Sequence, residues 1–120
     1  MYKGIIVDDA AIMRHRLRLI LESHFTIITE ASNGYEAVGL YTQFRPDFIT
    51  LDISMPEMNG IDALKKIIGL YPDAKIVIVS AVGQKQTVFE ALSLGAKDFI
   101  IKPFDADRVL HSVMRLFEAA

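Results

Sequence analysis

The 120-residue chain has no cysteine and no tryptophan, and only four prolines. Without cysteine there is no disulfide framework, no thiolate metal site and no cysteine nucleophile. No apolar run approaches the ~20 residues that span a bilayer, so membrane insertion is not expected. The N-terminus turns acidic at Asp8 and Asp9, whereas a signal peptide needs a longer apolar stretch and a cleavage site. A cytoplasmic location is therefore expected. There is no excess of positive charge either: thirteen Lys+Arg face fifteen Asp+Glu, a net charge of −2. Direct nucleic-acid binding, which usually needs a basic surface, is not expected. What the chain does have is apolar residues at 52% and a length suited to one domain, enough for a core that needs no staple. One domain over residues 1–120 is expected.

No linker, low-complexity tract or fixed-period repeat interrupts the chain. A short apolar run followed by a longer amphipathic one recurs five times. The short runs, at 4–7, 25–29, 47–51, 75–79 and 98–101, are rich in Ile, Val and Phe, which suit a pleated surface. Four are almost continuously apolar, the mark of parallel strands covered on both faces. The run at 25–29 leads into Glu30 and reads as an edge strand. The longer stretches, at 10–24, opening at Asn33, at 60–70, at 84–94 and from 105 to about 118, read as helices. Asn33 and Glu36 approach a capping box, and Gly95 suits a helix stop. Strand–helix alternation of this kind gives an α/β fold with a doubly wound parallel sheet.

The polar residues after each strand then gain meaning. Asp8 and Asp9 follow the first, Asp52 the third, Ser80 and Ala81 the fourth, and Lys102 with Pro103 the fifth. In a parallel sheet all strand C-termini share one edge, where open α/β sheets bind ligands. Three carboxylates close together repel one another, and Lys102 offers a single counter-charge. A hard divalent cation held by oxygens completes the balance, so the site predicts Mg²⁺, with Mn²⁺ as a substitute. The lack of Cys, and of His beside a strand end, argues against zinc. A carboxylate beside a cation, a hydroxyl and an ammonium suits phosphoryl transfer. Asp52, from the central strand, is the best nucleophile, with Asp8 and Asp9 as the metal cradle.

The segments VDDAAIMR, NGYEAV, PDFITLDISMPEMNGIDAL, IVIVSAVGQ and GAKDFIIKPF, in this order, resemble the receiver domains of two-component response regulators. The likeness is greatest to single-domain chemotaxis regulators of the CheY type. It implies a flavodoxin-like (βα)5 three-layer sandwich with strand order 2-1-3-4-5. It implies that Asp52 takes a phosphoryl group from a phosphohistidine, on a sensor histidine kinase or a phosphotransfer protein. Mg²⁺ would be held by Asp9, Asp52 and the Ser54 backbone carbonyl, with Asp8 acting mostly through water. Ser80, Lys102 and the Ala81 N–H would hold phosphoryl oxygens, and Lys102–Pro103 would be a cis peptide. Ser54 and Val82 fill the positions that tune phosphoryl lifetime. Phe99 matches the switch aromatic, with Phe in place of the Tyr of the best-known chemotaxis regulators. Ser80 drawn inward would make room for its ring, changing the face formed by the fourth helix, fifth strand and fifth helix. A downstream protein would bind that face, with the chain a monomer or a phosphorylation-linked dimer.

Within the fourth helix, Val88, Ala91 and Leu92 read as the inward set. That leaves Phe89 outside as a candidate partner anchor. His15, His24 and His111 lie on expected helices, away from the strand ends, and read as neither ligands nor bases. Arg14, His15, Arg16 and Arg18 make the first helix basic, a solvated face or a docking surface. An Asp-nucleophile phosphatase needs a second acid two residues on, where Ser54 stands. No phosphate-binding glycine motif of a nucleotide-binding protein follows any strand. Two readings stay open beside the stand-alone regulator. One is a receiver cut from a larger, for example DNA-binding, regulator; the other is a pseudo-receiver that binds partners without phosphate. No turnover of an external substrate is expected, beyond the domain's own phosphorylation and dephosphorylation.

Overall fold

In the computed structural model, which describes residues 1–55 and 57–118, strand and helix alternate throughout. The order is β1 (Lys3–Val7), α1 (Ala11–Leu21), β2 (Thr26–Ala31), α2 (Gly34–Phe44), β3 (Phe48–Asp52), α3 (Gly60–Leu70), β4 (Ile76–Ala81), α4 (Lys85–Leu94), β5 (Asp98–Lys102) and α5 (Ala106–Arg115). The strands form one parallel sheet in the order β2-β1-β3-β4-β5, the doubly wound arrangement expected. Pro56, within the expected 55–60 turn, and the expected chain end at residues 119–120 lie outside the described residues.

Side chains alternate across the sheet and build two cores. Ile5, Val7, Ile49, Leu51, Ile76 and Ile78 face one side, where α2, α3 and α4 contribute Ala37, Leu64, Ile67, Val88 and Ala91. Ile6, Phe48, Val77, Val79 and Ile100 face the other, against Leu17 and Leu21 of α1 and Val109 and Val113 of α5. All five β3 residues are buried, which explains why that run is nearly all apolar. Burial of each such aliphatic side chain contributes about 1.5–3 kcal/mol.

Three strands extend further than their apolar runs. Asp52, Ser80, Ala81 and Lys102 all sit inside the ladder, with Asp52 opposite Val79 and Ala81 opposite Lys102. Backbone pairing is indifferent to side-chain polarity, so it continues after the apolar pattern stops. Asp52, Ser80 and Lys102 are therefore strand residues, whereas Asp8 and Asp9 lie just beyond the end of β1. The helices are shorter than expected at several ends. α1 stops at Leu21, whose carbonyl accepts from the N–H of His24 and of Phe25, and His24 falls outside it, its ring bonded to Ser23 Oγ at 2.8 Å. Asn33 caps α2 by accepting from the Glu36 N–H, while Glu36 Oε1 accepts from both Ser32 N and Ser32 Oγ. The reciprocal half of the capping box is thus displaced by one residue.

Candidate functional site

Asp8, Asp52 and Lys102 lie on the α1/α5 side of the sheet by alternation with Ile6, Phe48 and Ile100. Asp8 is fully buried and Asp52 is 4% exposed, while Asp9 is exposed. One carboxylate oxygen from each of Asp8, Asp9 and Asp52 lies within 4.8 Å of the others. Lys102 Nζ stands 3.0 Å from Asp8 Oδ2 and 3.7 Å from Asp52 Oδ2. The peptide bond that follows it, Lys102–Pro103, is cis.

The acids are held by backbone donors and by close packing. Asp8 Oδ1 accepts from Ala10 N at 2.9 Å, and its carbonyl accepts from Arg14 Nη1 at 2.7 Å. No side chain caps α1 at Ala10; the Ala10 N–H at its positive end donates instead to Asp8. Asp52 Oδ1 accepts from Ser54 N at 3.3 Å. The start of α3 lies so close to β3 that a Cβ on Gly60 would sit 2.1 Å from the Asp52 carbonyl oxygen. Only glycine fits there. Burial pushes the Asp52 carboxyl from 3.8 up to about 6; the Asp8 charge adds to the push and the Lys102 ammonium opposes it.

This donor set fits a hard divalent cation. Three carboxylates face one ammonium, every donor is oxygen, and Asp9 leaves the cluster open to solvent. A cation would offset the Asp8 repulsion that adds to the effect of burial on Asp52.

Ser80 lies on the opposite side of the sheet, in alternation with Ile76 and Ile78. Its Oγ is buried and has no hydrogen-bond partner among the described residues, an arrangement that disfavours the hydroxyl until an acceptor arrives. Phe99, paired with Ile78, shares that side. Phe99 lines a cleft of about 340 Å³ with Val82, Val88, Phe89 and Ile101. Its carbonyl accepts from Arg108 Nη2 at 2.6 Å.

The remaining expectations fare differently. Val88 and Ala91 are buried and Phe89 is 58% exposed, as the helical pattern indicated. The basic stripe of α1 is partly neutralised: Arg14 and Arg18 both pair with Glu30, and Arg16 lies over the Phe104 ring. The Ala81 N–H is not free. It donates to Gln84 Oε1 at 2.8 Å, and Gln84 Nε2 donates to Ser54 Oγ at 2.5 Å. The sequence marks Gln84 only as a helix start; nothing in its spacing announces that its side chain folds back over the strand end.

Compared with known proteins, residues 5–114 match the response regulator receiver domain family. The chain belongs to this family. Among receiver proteins, the chemotaxis protein CheY of Thermotoga maritima is 50% identical over 113 residues, covering 93% of this chain and 94% of that protein. The chemotaxis protein CheY of Bacillus subtilis is 48% identical over 113 residues, covering 93% and 94%. A chain in the crystal structure of the CheX-CheY-BeF3-Mg+2 complex from Borrelia burgdorferi superposes with a TM-score of 0.94 at 40% identity, covering 98% of this receiver and 90% of that chain. Among the described residues of this receiver, no helix is long and apolar enough to cross a membrane.

Proposed function

We propose that residues 1–120 act as one stand-alone, CheY-like receiver that accepts a phosphoryl group on Asp52 and passes the signal through a change of surface. The observation that carries this reading is the convergence of Asp8, Asp9, Asp52 and Lys102 within a few ångströms at the C-terminal sheet edge. The donor is a phosphohistidine of a histidine kinase or a phosphotransfer protein. An Asp52 carboxylate oxygen forms the new O–P bond as the donor's N–P bond breaks.

Mg²⁺, or Mn²⁺ in its place, would be held by Asp9, Asp52 and the Ser54 carbonyl, with Asp8 behind them, and would neutralise charge on the transferred group. Lys102 stands ready to pair with a phosphoryl oxygen, because its ammonium already reaches Asp52. Ser80 Oγ gains the acceptor it lacks. The Ala81 N–H supplies a further donor. These groups position the phosphoryl and spread its charge; none turns over an outside substrate.

The added charge of about −1.5 to −2 draws Ser80 and its loop toward Asp52. Phe99, on the same side of the sheet and lining the adjoining cleft, moves into the space that Ser80 leaves. The α4–β5–α5 face changes shape, and a downstream protein reads it with Phe89 as one anchor. The CheY relatives are matched over 94% of their own length, which favours this stand-alone role over a receiver cut from a larger regulator. The intact acidic cluster with Lys102 favours it over a phosphate-independent module.

The test is incubation with Mg²⁺ and acetyl phosphate followed by intact mass measurement. The expected result is one phosphoryl group on the native chain and on Asp47→Asn, and none on Asp52→Asn. Asp47 is the control because its carboxylate bonds the Lys3 N–H, away from the site. Modification that persists in Asp52→Asn overturns the reading.

A further inference from the structure

We infer that Gln84 is a positioning residue that competes with the incoming phosphoryl group for the Ala81 N–H. This inference rests on the phosphoryl-receiver reading and adds to it a residue with no chemistry of its own. β4 ends at Ala81 and α4 begins at Lys85. Only Val82, Gly83 and Gln84 connect them, and the positive φ of 95° at Gly83 is a conformation that suits glycine. The short turn directs the Gln84 side chain back toward the strand end. There its carboxamide uses both polar atoms: Oε1 accepts from Ala81 N at 2.8 Å, and Nε2 donates to Ser54 Oγ at 2.5 Å.

The two bonds tie together the loops that border the acidic cluster. Ser54 follows Asp52 by two residues, and Ala81 follows Ser80 by one. A backbone N–H is a single donor. While Gln84 holds it, a phosphoryl oxygen cannot use it in full. The phosphoryl oxygen is the stronger acceptor, because hydrogen bonds to ionised groups are roughly twice as strong as neutral ones. Uptake therefore displaces Gln84 and frees its amide from Ser54 as well. Gln84 is also the residue that precedes α4, and its carbonyl accepts the Val88 N–H. Its release loosens the N-terminal turn of α4, the helix that carries Phe89. The same residue that restrains uptake thus links uptake to the partner face.

The competition has a definite size. A net hydrogen bond of ordinary strength corresponds to roughly a 2- to 12-fold change in an equilibrium. The probe is beryllofluoride, a phosphoryl stand-in, titrated at saturating Mg²⁺ and followed by fluorine NMR. Gln84→Met keeps the length of the side chain and loses both bonds; Gln84→Ala loses the bulk too. Both are expected to bind beryllofluoride roughly 2- to 12-fold more tightly than the native chain. In the absence of beryllofluoride the Ala81 amide proton should exchange faster in both variants, and beryllofluoride should bring all three chains to equal protection. That amide responds to the bond itself, which a general loosening of the fold would not single out. In the native chain, the Gln84 side-chain amide protons should become free-exchanging once beryllofluoride binds, a readout that needs no variant to fold.

Equal or weaker binding by both variants, or an unchanged Ala81 amide, overturns the inference while leaving the receiver reading intact. Failure of the native chain to take beryllofluoride at all overturns the receiver reading and this inference with it.

Discussion

The ammonium of Lys102 lies 3.0 Å from the buried carboxylate of Asp8, although the two are 94 residues apart in sequence. This pair joins the strand at the centre-left of the sheet to the strand at its far edge, β1 to β5, across the top of β3 and β4. Asp8 has no access to solvent, so Lys102 is its resident counter-charge.

Removing that counter-charge should be costly. Lys102→Met is expected to destabilise the fold by about 3–5 kcal/mol, since it strands a buried charge. Added Mg²⁺ should restore part of the loss by binding the folded state. Urea unfolding with and without Mg²⁺ checks both statements; a variant as stable as the native chain without Mg²⁺ contradicts them.

Asp52 predicts a pH dependence of definite sign. Its folded value is raised from 3.8 to about 6, so the folded state binds the proton more tightly than the unfolded one. The stabilisation is fully present below the unfolded value and is lost as pH rises through about 6. At about pH 8 without divalent cation, Asp52→Asn should be more stable than the native chain, by up to about 3 kcal/mol. The gap should close below the unfolded value. Urea unfolding at the two pH extremes measures it, and a variant less stable at the higher pH contradicts it.

Ser80 separates stability from ligand binding. Its buried hydroxyl has no partner among the described residues, so Ser80→Ala should leave the fold unharmed or raise its stability by about 1 kcal/mol. The same change should weaken beryllofluoride binding roughly 10- to 100-fold, because a bond to an ionised acceptor is lost. Loss of both stability and binding would indicate a purely structural role.

Phe89 is 58% exposed beside the cleft that Phe99 lines. Phe89→Ala should change stability by less than about 0.5 kcal/mol. It should lower the affinity of the phosphorylated form for its partner, or for a second copy, by about tenfold or more. Sedimentation of the beryllofluoride form and partner titration are the measurements; no change in either removes Phe89 from the interface.

Gly39 and Gly69 are exposed within α2 and α3, and a Cβ at either meets nothing within 4 Å. Gly39→Ala and Gly69→Ala should each stabilise the fold by about 0.5–1 kcal/mol. Thermal unfolding checks this, and destabilisation would reveal a role that their surroundings do not show.

Much of the site was legible because its residues follow apolar runs whose direction the fold fixes. Asp8, Asp9, Asp52, Ser80 and Lys102 needed only the rule that parallel strands share one C-terminal edge. Asp52, Ser80 and Lys102, expected just after their strands, lie within them, because the ladder extends beyond the apolar pattern. Gln84 was not legible: a side chain that folds back over a three-residue turn leaves no periodic signal. Neither was the neutralisation of α1, where Arg14 and Arg18 meet Glu30. That contact depends on β2 lying beside the helix, which charge counting along the chain does not reveal.

The central claim is that one aspartate, and no other, becomes an acyl phosphate. Borohydride reduces an acyl phosphate of aspartate to homoserine, and peptide sequencing by mass spectrometry then locates the change. After treatment of the native chain with Mg²⁺ and acetyl phosphate, homoserine should appear at residue 52 alone, and omission of Mg²⁺ should abolish it. Homoserine at Asp8, Asp9 or Asp47, or none at residue 52, would contradict the account.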